Sequence, residues 1–230
     1  MKILSIDSSG LVAAAALVSD GMLVGEYTIH NKKTHSQTLL PMIVDMIQMA
    51  EIELKELDCV AVSAGPGSFT GLRIGASTAK GIAWTLGIPI VPVSSLMGLA
   101  ANVSERGVVV CPIMDARRGQ VYYGIYRSAQ GLPEVLGEPA VAAVETVVEK
   151  INEIGERTIF LGDGVPVFEQ VIRENASVEV CFADAADRYQ RGASVARIGG
   201  LLFEKGAYVT AADFAPVYLR KSQAEREREE

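Results

Sequence analysis

Apolar positions gather in short runs over residues 2–29: Lys2-Ile-Leu-Ser-Ile6, Leu11 to Val18, and Met22 to Ile29 after a turn at Ser19-Asp-Gly21. Runs of this length, broken by Gly, Asp and Ser, predict three consecutive strands forming a meander. The period then changes. His35 to Ala50 carries apolar residues at helical spacing and predicts a helix capped by Thr34 or Ser36, with Pro41 either in its first turn or kinking it. The valine-rich run Cys59 to Ser63 predicts a strand, Ala64 to Gly71 a loop with three glycines and a proline, and Leu72 to Leu86 a helix of small residues. Strand Ile88 to Val93 and a short helix from Ser94 to Asn102 complete a first unit.

After the connection Val103-Ser-Glu-Arg-Gly107 the same order returns. Val108 to Met114, Gln120 to Arg127 and Glu134 to Pro139 predict strands, Val144 to Ile154 a helix, Thr158 to Leu161 a strand, Val165 to Arg173 a helix, Val178 to Phe182 a strand, and Ala193 to Lys205 a helix. The pattern is α/β, with subdomains over 1–103 and 104–222 and the last helix or tail available to pack back on the first. Gln223 to Glu230 alternates acid with arginine, has almost nothing to bury, and predicts a frayed or helical extension.

Two helices carry more than a core needs. In His35 to Ala50 the leucines and isoleucines supply one stripe, and Met42, Met46 and Met49 follow helical spacing as a second. Flexible thioethers suit cores and adaptable binding surfaces alike. In Leu72 to Leu86, Gly75, Ala76, Ala79 and Ala83 permit close approach to a neighbour, whereas Arg73, Ser77, Lys80 and the only tryptophan, Trp84, share the other face. That face is either solvated or a partner surface, where arginine and tryptophan are over-represented.

Composition narrows the function classes. About half of the residues are apolar (49%), enough for a sizeable core, and the formal charge of -7 leaves no broad basic surface for binding RNA unaided. Cys59, Cys111 and Cys181 are far apart and lie in strand-like runs, as buried thiols in a reducing compartment do. Met1 to Asp7 is too short an apolar run for a signal peptide, and no stretch approaches the roughly 18 apolar residues of a membrane span, so a cytoplasmic location with no membrane partner is expected.

The chemistry concentrates at the glycine loop. Unpaired N–H groups and the dipole at a helix start can hold an anion, and the loop equally lets helix and strand pack closely. A P-loop ending is missing, since the first lysine after the loop is Lys80; a Rossmann fingerprint fails because Thr70 stands at the third glycine; and a nucleophile elbow fails because Pro66 and Thr70 flank Ser68. Asp7-Ser8-Ser9 closes the first strand, where aspartate and serine are also ordinary turn residues.

The run Gly65-Pro-Gly-Ser-Phe-Thr-Gly-Leu-Arg-Ile-Gly75 resembles the signature of the TsaB (YeaZ) family, non-catalytic relatives of TsaD in the bacterial system that makes N6-threonylcarbamoyladenosine in tRNA. Ile6-Asp-Ser-Ser9, His35-Ser-Gln-Thr-Leu-Leu-Pro41, Met114-Asp-Ala-Arg-Arg-Gly-Gln-Val-Tyr122 and Pro216-Val-Tyr-Leu-Arg220 fit the same family. The resemblance implies an actin-like (ASKHA) fold of two similar subdomains. It implies an accessory subunit with no catalytic residue and no cofactor of its own, ATP or ADP being conceivable only at a partner interface. Its implied partners are a TsaD-like transferase, a TsaE-like ATPase, a second copy when alone, and tRNA only through the complex. The implied interface is Met42, Met46, Met49, Arg73, Ser77, Lys80 and Trp84. In the actin-like superfamily an acid at Asp7 would orient metal-bound water, and Ser8, Ser9, Gly65 and Gly67 would approach phosphates.

Departures matter as much. TsaD carries a metal-binding His-x-x-x-His where this chain has Ser95 and Leu99, and His30 and His35 are five apart, so no metal site is expected and a peptidase role loses its support. Asp115, Arg117 and Arg118 occupy a turn that is either a plain hairpin or a family element near the cleft or a partner. Gly162-Asp-Gly164 is a small-residue turn of the kind that approaches adenosine in the superfamily. The alternative function is an ATP-dependent phosphotransferase using Asp7 and the two glycine turns.

Overall fold

The computed structural model describes residues 1–31 and 33–220, so the charged stretch 223–230 lies outside the described residues. Strands β1 (Lys2–Asp7), β2 (Ala13–Ser19) and β3 (Met22–Ile29) form the expected antiparallel meander, and β4 (Cys59–Gly65) and β5 (Ile90–Ser94) extend it in parallel, giving the order β3-β2-β1-β4-β5. Helices α1 (His35–Met49) and α2 (Phe69–Leu86) lie side by side on one face, where Leu39, Ile43, Met46, Ala76, Ala79 and Ala83 meet the strands. Small residues on α2 let it settle close to the sheet.

The short helix α3 (Ser95–Ala100) leads into the second sheet: β6 (Val109–Arg117), β7 (Gln120–Arg127), β8 (Glu134–Ala143), β9 (Thr158–Leu161) and β10 (Val180–Phe182), in the order β10-β9-β6-β7-β8. Read from its meander edge this is the order of the first sheet again, so the two lobes share one topology, that of the actin-like fold. Helices α4 (Val144–Ile154) and α5 (Val165–Asn175) cover one face, with Val147, Ile151, Phe168 and Ile172 buried. Leu96 and Leu99 of α3 pack on the other face against Val110, Tyr126 and Leu161, which ties the lobes together.

The chain then returns. Helix α6 (Gly192–Glu204) lies on the open face of the first sheet, burying Val195, Ala196 and Ile198 against Ile3, Ala61, Val91 and Val93. Two glycines permit this. A Cβ at Gly192 would collide with the β2 backbone at Ala15 and Ala16, and one at Gly199 with the Ala61 side chain. Beyond α6, Val209 exchanges two 2.9 Å hydrogen bonds with Ile90, and Val217 N–H donates to Ala64 O at 2.7 Å. Residues 209–220 therefore form a strap along the first lobe.

Several boundaries differ from expectation, two of them for a clear local reason. Helix α2 starts at Phe69, because Ser68 caps it by accepting from Gly71 N at 3.2 Å, so the second half of the glycine loop is already helix. Strand β8 runs on through Pro139 to Ala143, since it is an edge strand that tolerates the missing N–H.

Candidate functional site

At the end of β1, Asp7 is almost wholly buried, 1% exposed. Its carboxylate accepts from Ser9 N at 2.8 Å, from Ser9 Oγ at 2.7 Å, and on its other oxygen from Ser63 Oγ of β4. Burial pushes its pKa up, and the bonds from Ser63 and Ser9 pull against that. Ser8 Oγ donates to Gly71 O at 2.8 Å, and Ser68 N–H donates to Ser9 O at 2.7 Å. A Cβ at Gly67 would strike Ser9, and one at Gly71 would strike the Ser8 carbonyl. Gly65, with φ 127°, leaves room for the Val217 carbonyl of the strap.

Asp7, Ser8, Ser9, Gly65 and Gly67 are thus brought together, but they are spent on one another. The phosphate-loop expectation is corrected here. Both serine hydroxyls have internal acceptors and both residues are buried, so neither presents its hydroxyl to a ligand; the glycines serve close approach of the two turns.

The second lobe repeats the device at the end of β6. Gly164 N–H donates to Ile113 O at 3.1 Å, and a Cβ at Gly162 would collide with the same carbonyl. Between the two turns opens a cleft of about 540 Å³, floored by Ser9–Leu11 and Gly67–Phe69 on one side and by Met114–Arg117 and Asp163 on the other, with Tyr218–Arg220 at its mouth. Asp115 N–H donates to Asp163 Oδ1 at 3.0 Å, and burial beside Asp115 raises the Asp163 carboxyl to about 6. Asp115 itself accepts from Arg117 N at 2.7 Å and pairs with Arg117 Nη1 at 3.2 Å. Arg117 and Arg118 sit in left-handed backbone, φ 65° and 56°, which costs a side-chain-bearing residue about 1–2 kcal/mol each.

The interface candidates separate. Met42 (5% exposed) and Met46 (2%) are core, and their assignment to a surface is corrected: with Leu39 and Ile43 they form a single i, i+3, i+4, i+7 stripe on the sheet rather than a second one. Leu40 and Val44 are exposed one turn apart on the outer side of α1, whereas Met49, 74% exposed, lies on a different side of the helix, with Sδ 3.1 Å from Tyr27 Oη. On α2, Ser77 and Trp84 point outward, Trp84 at 71% exposure. Lys80 is corrected too. Its ammonium donates to Ala212 O at 3.2 Å and Phe214 O at 2.9 Å, fastening the strap. Arg73 lies over Phe69, 4.0 Å from the ring centroid, with Nε 3.4 Å from Tyr218 Oη.

Among the described residues no group of three or more His, Cys, Asp or Glu side chains is placed to hold a metal ion, and no helix is long and apolar enough to cross a membrane. Ser95 and Leu99 are buried, and His35 Nε2 bonds Gly10 O at 2.9 Å. The Cys59 and Cys111 thiols are buried and pushed up, Cys59 to about 12. Asp163 and the strap residues Tyr218 and Arg220 were not singled out individually from sequence; the available signals were the Gly162–Gly164 turn and the Pro216–Arg220 run.

A profile of the family described as TsaD, tRNA N6-adenosine threonylcarbamoyltransferase, matches residues 23–228. The Bacillus subtilis protein named tRNA threonylcarbamoyladenosine biosynthesis protein TsaB is 35% identical over 225 residues, covering 98% of this chain and 96% of its own length. Among solved structures, YeaZ from Pseudomonas aeruginosa superposes with a TM-score of 0.83 at 28% identity, covering 95% of this chain and 99% of its own. The activator of the 2-hydroxyisocaproyl-CoA dehydratase from Clostridium difficile superposes with a TM-score of 0.52 at 9% identity over 90% of this chain and 96% of its own, a likeness of fold alone.

Proposed function

The chain belongs to the TsaB (YeaZ) family, and from that premise we propose that it is an accessory subunit in the formation of N6-threonylcarbamoyladenosine in tRNA, docking on and activating a TsaD-type transferase. The observation that carries the docking role is the outward face of α1 and α2. Leu40, Val44, Met49 and Trp84 leave large apolar side chains exposed on two adjacent helices. Singly such residues are ordinary; on neighbouring helices they are the material of a helical interface. In this proposal the same face forms a homodimer when the subunit is alone and is exchanged for the transferase. A TsaE-type ATPase joins the complex, tRNA is met only there, and the subunit acts in the cytoplasm.

The accessory role, with no catalytic residue and no cofactor of its own, is supported by the state of the first turn. An actin-like phosphotransferase would present Asp7 and its serines to a metal-bound nucleotide, whereas here they are buried and bonded to each other. Nucleotide would then belong to an interface with a partner rather than to this chain.

The test is light scattering on the purified chain alone and mixed with the transferase of the same organism, with and without ATP. Conversion of a homodimer into a heterodimer is the expected result. A chain that ignores the transferase and hydrolyses ATP by itself would return the phosphotransferase alternative.

A further inference from the structure

The protein carries a formal charge of -7, yet two arginines, Arg117 and Arg220, line the interlobe cleft, and two more, Arg73 over the lining residue Phe69 and Arg118 next to Arg117, stand beside it. They are linked by a chain of contacts. Arg73 lies over Phe69 and reaches Tyr218, whose ring is 4.8 Å from that of Phe69. Two residues further along the strap, Arg220 Nη1 donates to Ala116 O at 2.9 Å, and the next two residues of that hairpin are Arg117 and Arg118. Against these four cations the cleft lining sets two carboxylates, Asp115 and Asp163, and only Arg117 is paired with one of them. The Arg117 side chain is still 81% exposed, and Arg118 is exposed beside it.

The hairpin adds a second observation. Arg117, Arg118 and Gly119 all have positive φ, at 65°, 56° and 73°. A two-residue turn of this hand favours Asn-Gly, so arginine at Arg118 goes against the local preference of the backbone. Positions that break a local rule in an otherwise consistent fold are expected to be functional. Arginine forks beside an exposed ring suit a phosphodiester strand: the guanidinium groups take phosphate oxygens, and Tyr218, exposed where it lines the cleft, offers its ring to ribose or base.

We propose that this arginine cluster is where the subunit touches RNA phosphates inside the tRNA-modifying complex. The inference rests on the accessory role proposed above. A strand is favoured over a free nucleotide because the cations are spread along an exposed rim from α2 across the strap to the hairpin. The floor of the cleft, where a triphosphate would need open amides, has the Ser68 N–H already bonded to Ser9 O.

The test uses the assembled complex and tRNA, with affinity read by fluorescence anisotropy over a range of salt, after light scattering has established that the complex forms. R117N/R118N removes both hairpin charges with a residue that tolerates left-handed backbone, so the fold is kept. Affinity should fall several-fold, and the slope of log affinity against log salt should become shallower by roughly 1.4, about 0.7 per lost phosphate contact on a single strand. R118K, which keeps the charge, should retain most of the binding. An intact complex of R117N/R118N with unchanged affinity and slope overturns the proposal. So does arginine-dependent binding of ATP by the isolated chain with tRNA affinity unaffected, which would make the cluster a nucleotide site. Failure of the wild-type chain to join the transferase would instead defeat the accessory role, seen already in the scattering, and this inference with it.

Discussion

Ser9 gives its backbone carbonyl to the N–H of Ser68 across 2.7 Å, so the turn after the first strand is bonded to the residue that caps α2. The contact joins two turns nearly sixty residues apart and needs glycine on the facing side. Gly67→Ala and Gly71→Ala each drive a methyl into the Ser8–Ser9 backbone, which cannot yield as a flexible side chain could. Each should cost at least about 2–3 kcal/mol in denaturant melts, the upper range of overpacking. Gly81→Ala on the same helix is the control: nothing lies within 4 Å of the new Cβ, and it should stabilise by about 0.5–1 kcal/mol. Equal effects at Gly67, Gly71 and Gly81 would contradict the close-packing role.

Asp163 makes the cleft sensitive to pH. Its folded pKa is raised from 3.8 to about 6, so the native state binds the extra proton and the associated stability is lost as pH rises from about 4 through about 6. Asp163→Asn removes the charge and keeps the oxygen that accepts from Asp115 N. The variant should therefore be more stable than the parent at pH 7.5, by about 1 kcal/mol once the water reaching the cleft is allowed for. The difference should close as pH falls below about 4. Paired thermal melts at several pH values decide it; a gap that stays constant with pH would rule the raised carboxyl out.

The methionines of α1 can be told apart by substitution. Met49→Asp places a charge on an exposed face and should leave the melting temperature within a few degrees while abolishing heterodimer formation, as should Ser77→Asp on α2. Met46→Asp buries an unpaired carboxylate under Gly25 and Leu39 and should unfold the subunit, costing more than about 3 kcal/mol. Circular dichroism and light scattering on the same samples separate the two effects. Undiminished heterodimer with Met49→Asp and Ser77→Asp together would remove the α1–α2 face from the proposed function.

Much of the fold was legible from local signals: the short apolar runs of the two meanders broken by turn residues, the glycine turns after β4 and β9, and the return of one element order. Met42 and Met46 were misjudged because Leu39, Met42, Ile43 and Met46 make one face only when the helix is laid on a particular sheet. Lys80 looked like a solvated or partner-facing residue because its acceptors, Ala212 O and Phe214 O, lie some 130 residues away in a strap without periodicity. The candidate site shows the same divide. Asp7 and the glycines were visible as residue types, whereas their use on each other depends on how closely two distant turns approach.

The N-terminal end of the last helix is bonded to β3 of the meander through one side chain. Glu26 on β3 accepts from Ala193 N at 2.9 Å with one oxygen and from Arg191 Nη2 at 2.6 Å with the other. Arg191 stands at the N-cap position of α6 and its own side chain caps nothing, so Glu26 supplies the capping acceptor from another strand, and its negative charge faces the positive end of the helix. With the Glu26 side chain only 13% exposed, the pair is screened less than a surface ion pair. Glu26→Ala should lower stability by about 2 kcal/mol, combining a lost cap with a lost charge-assisted bond. Glu26→Gln keeps an oxygen for Ala193 N and loses the charge, so it should cost about half as much. Arg191→Ala leaves the cap intact and should cost less than Glu26→Ala. If Arg191→Ala proves the more damaging in urea melts, the ion pair rather than the cap is what fastens α6 to the first sheet.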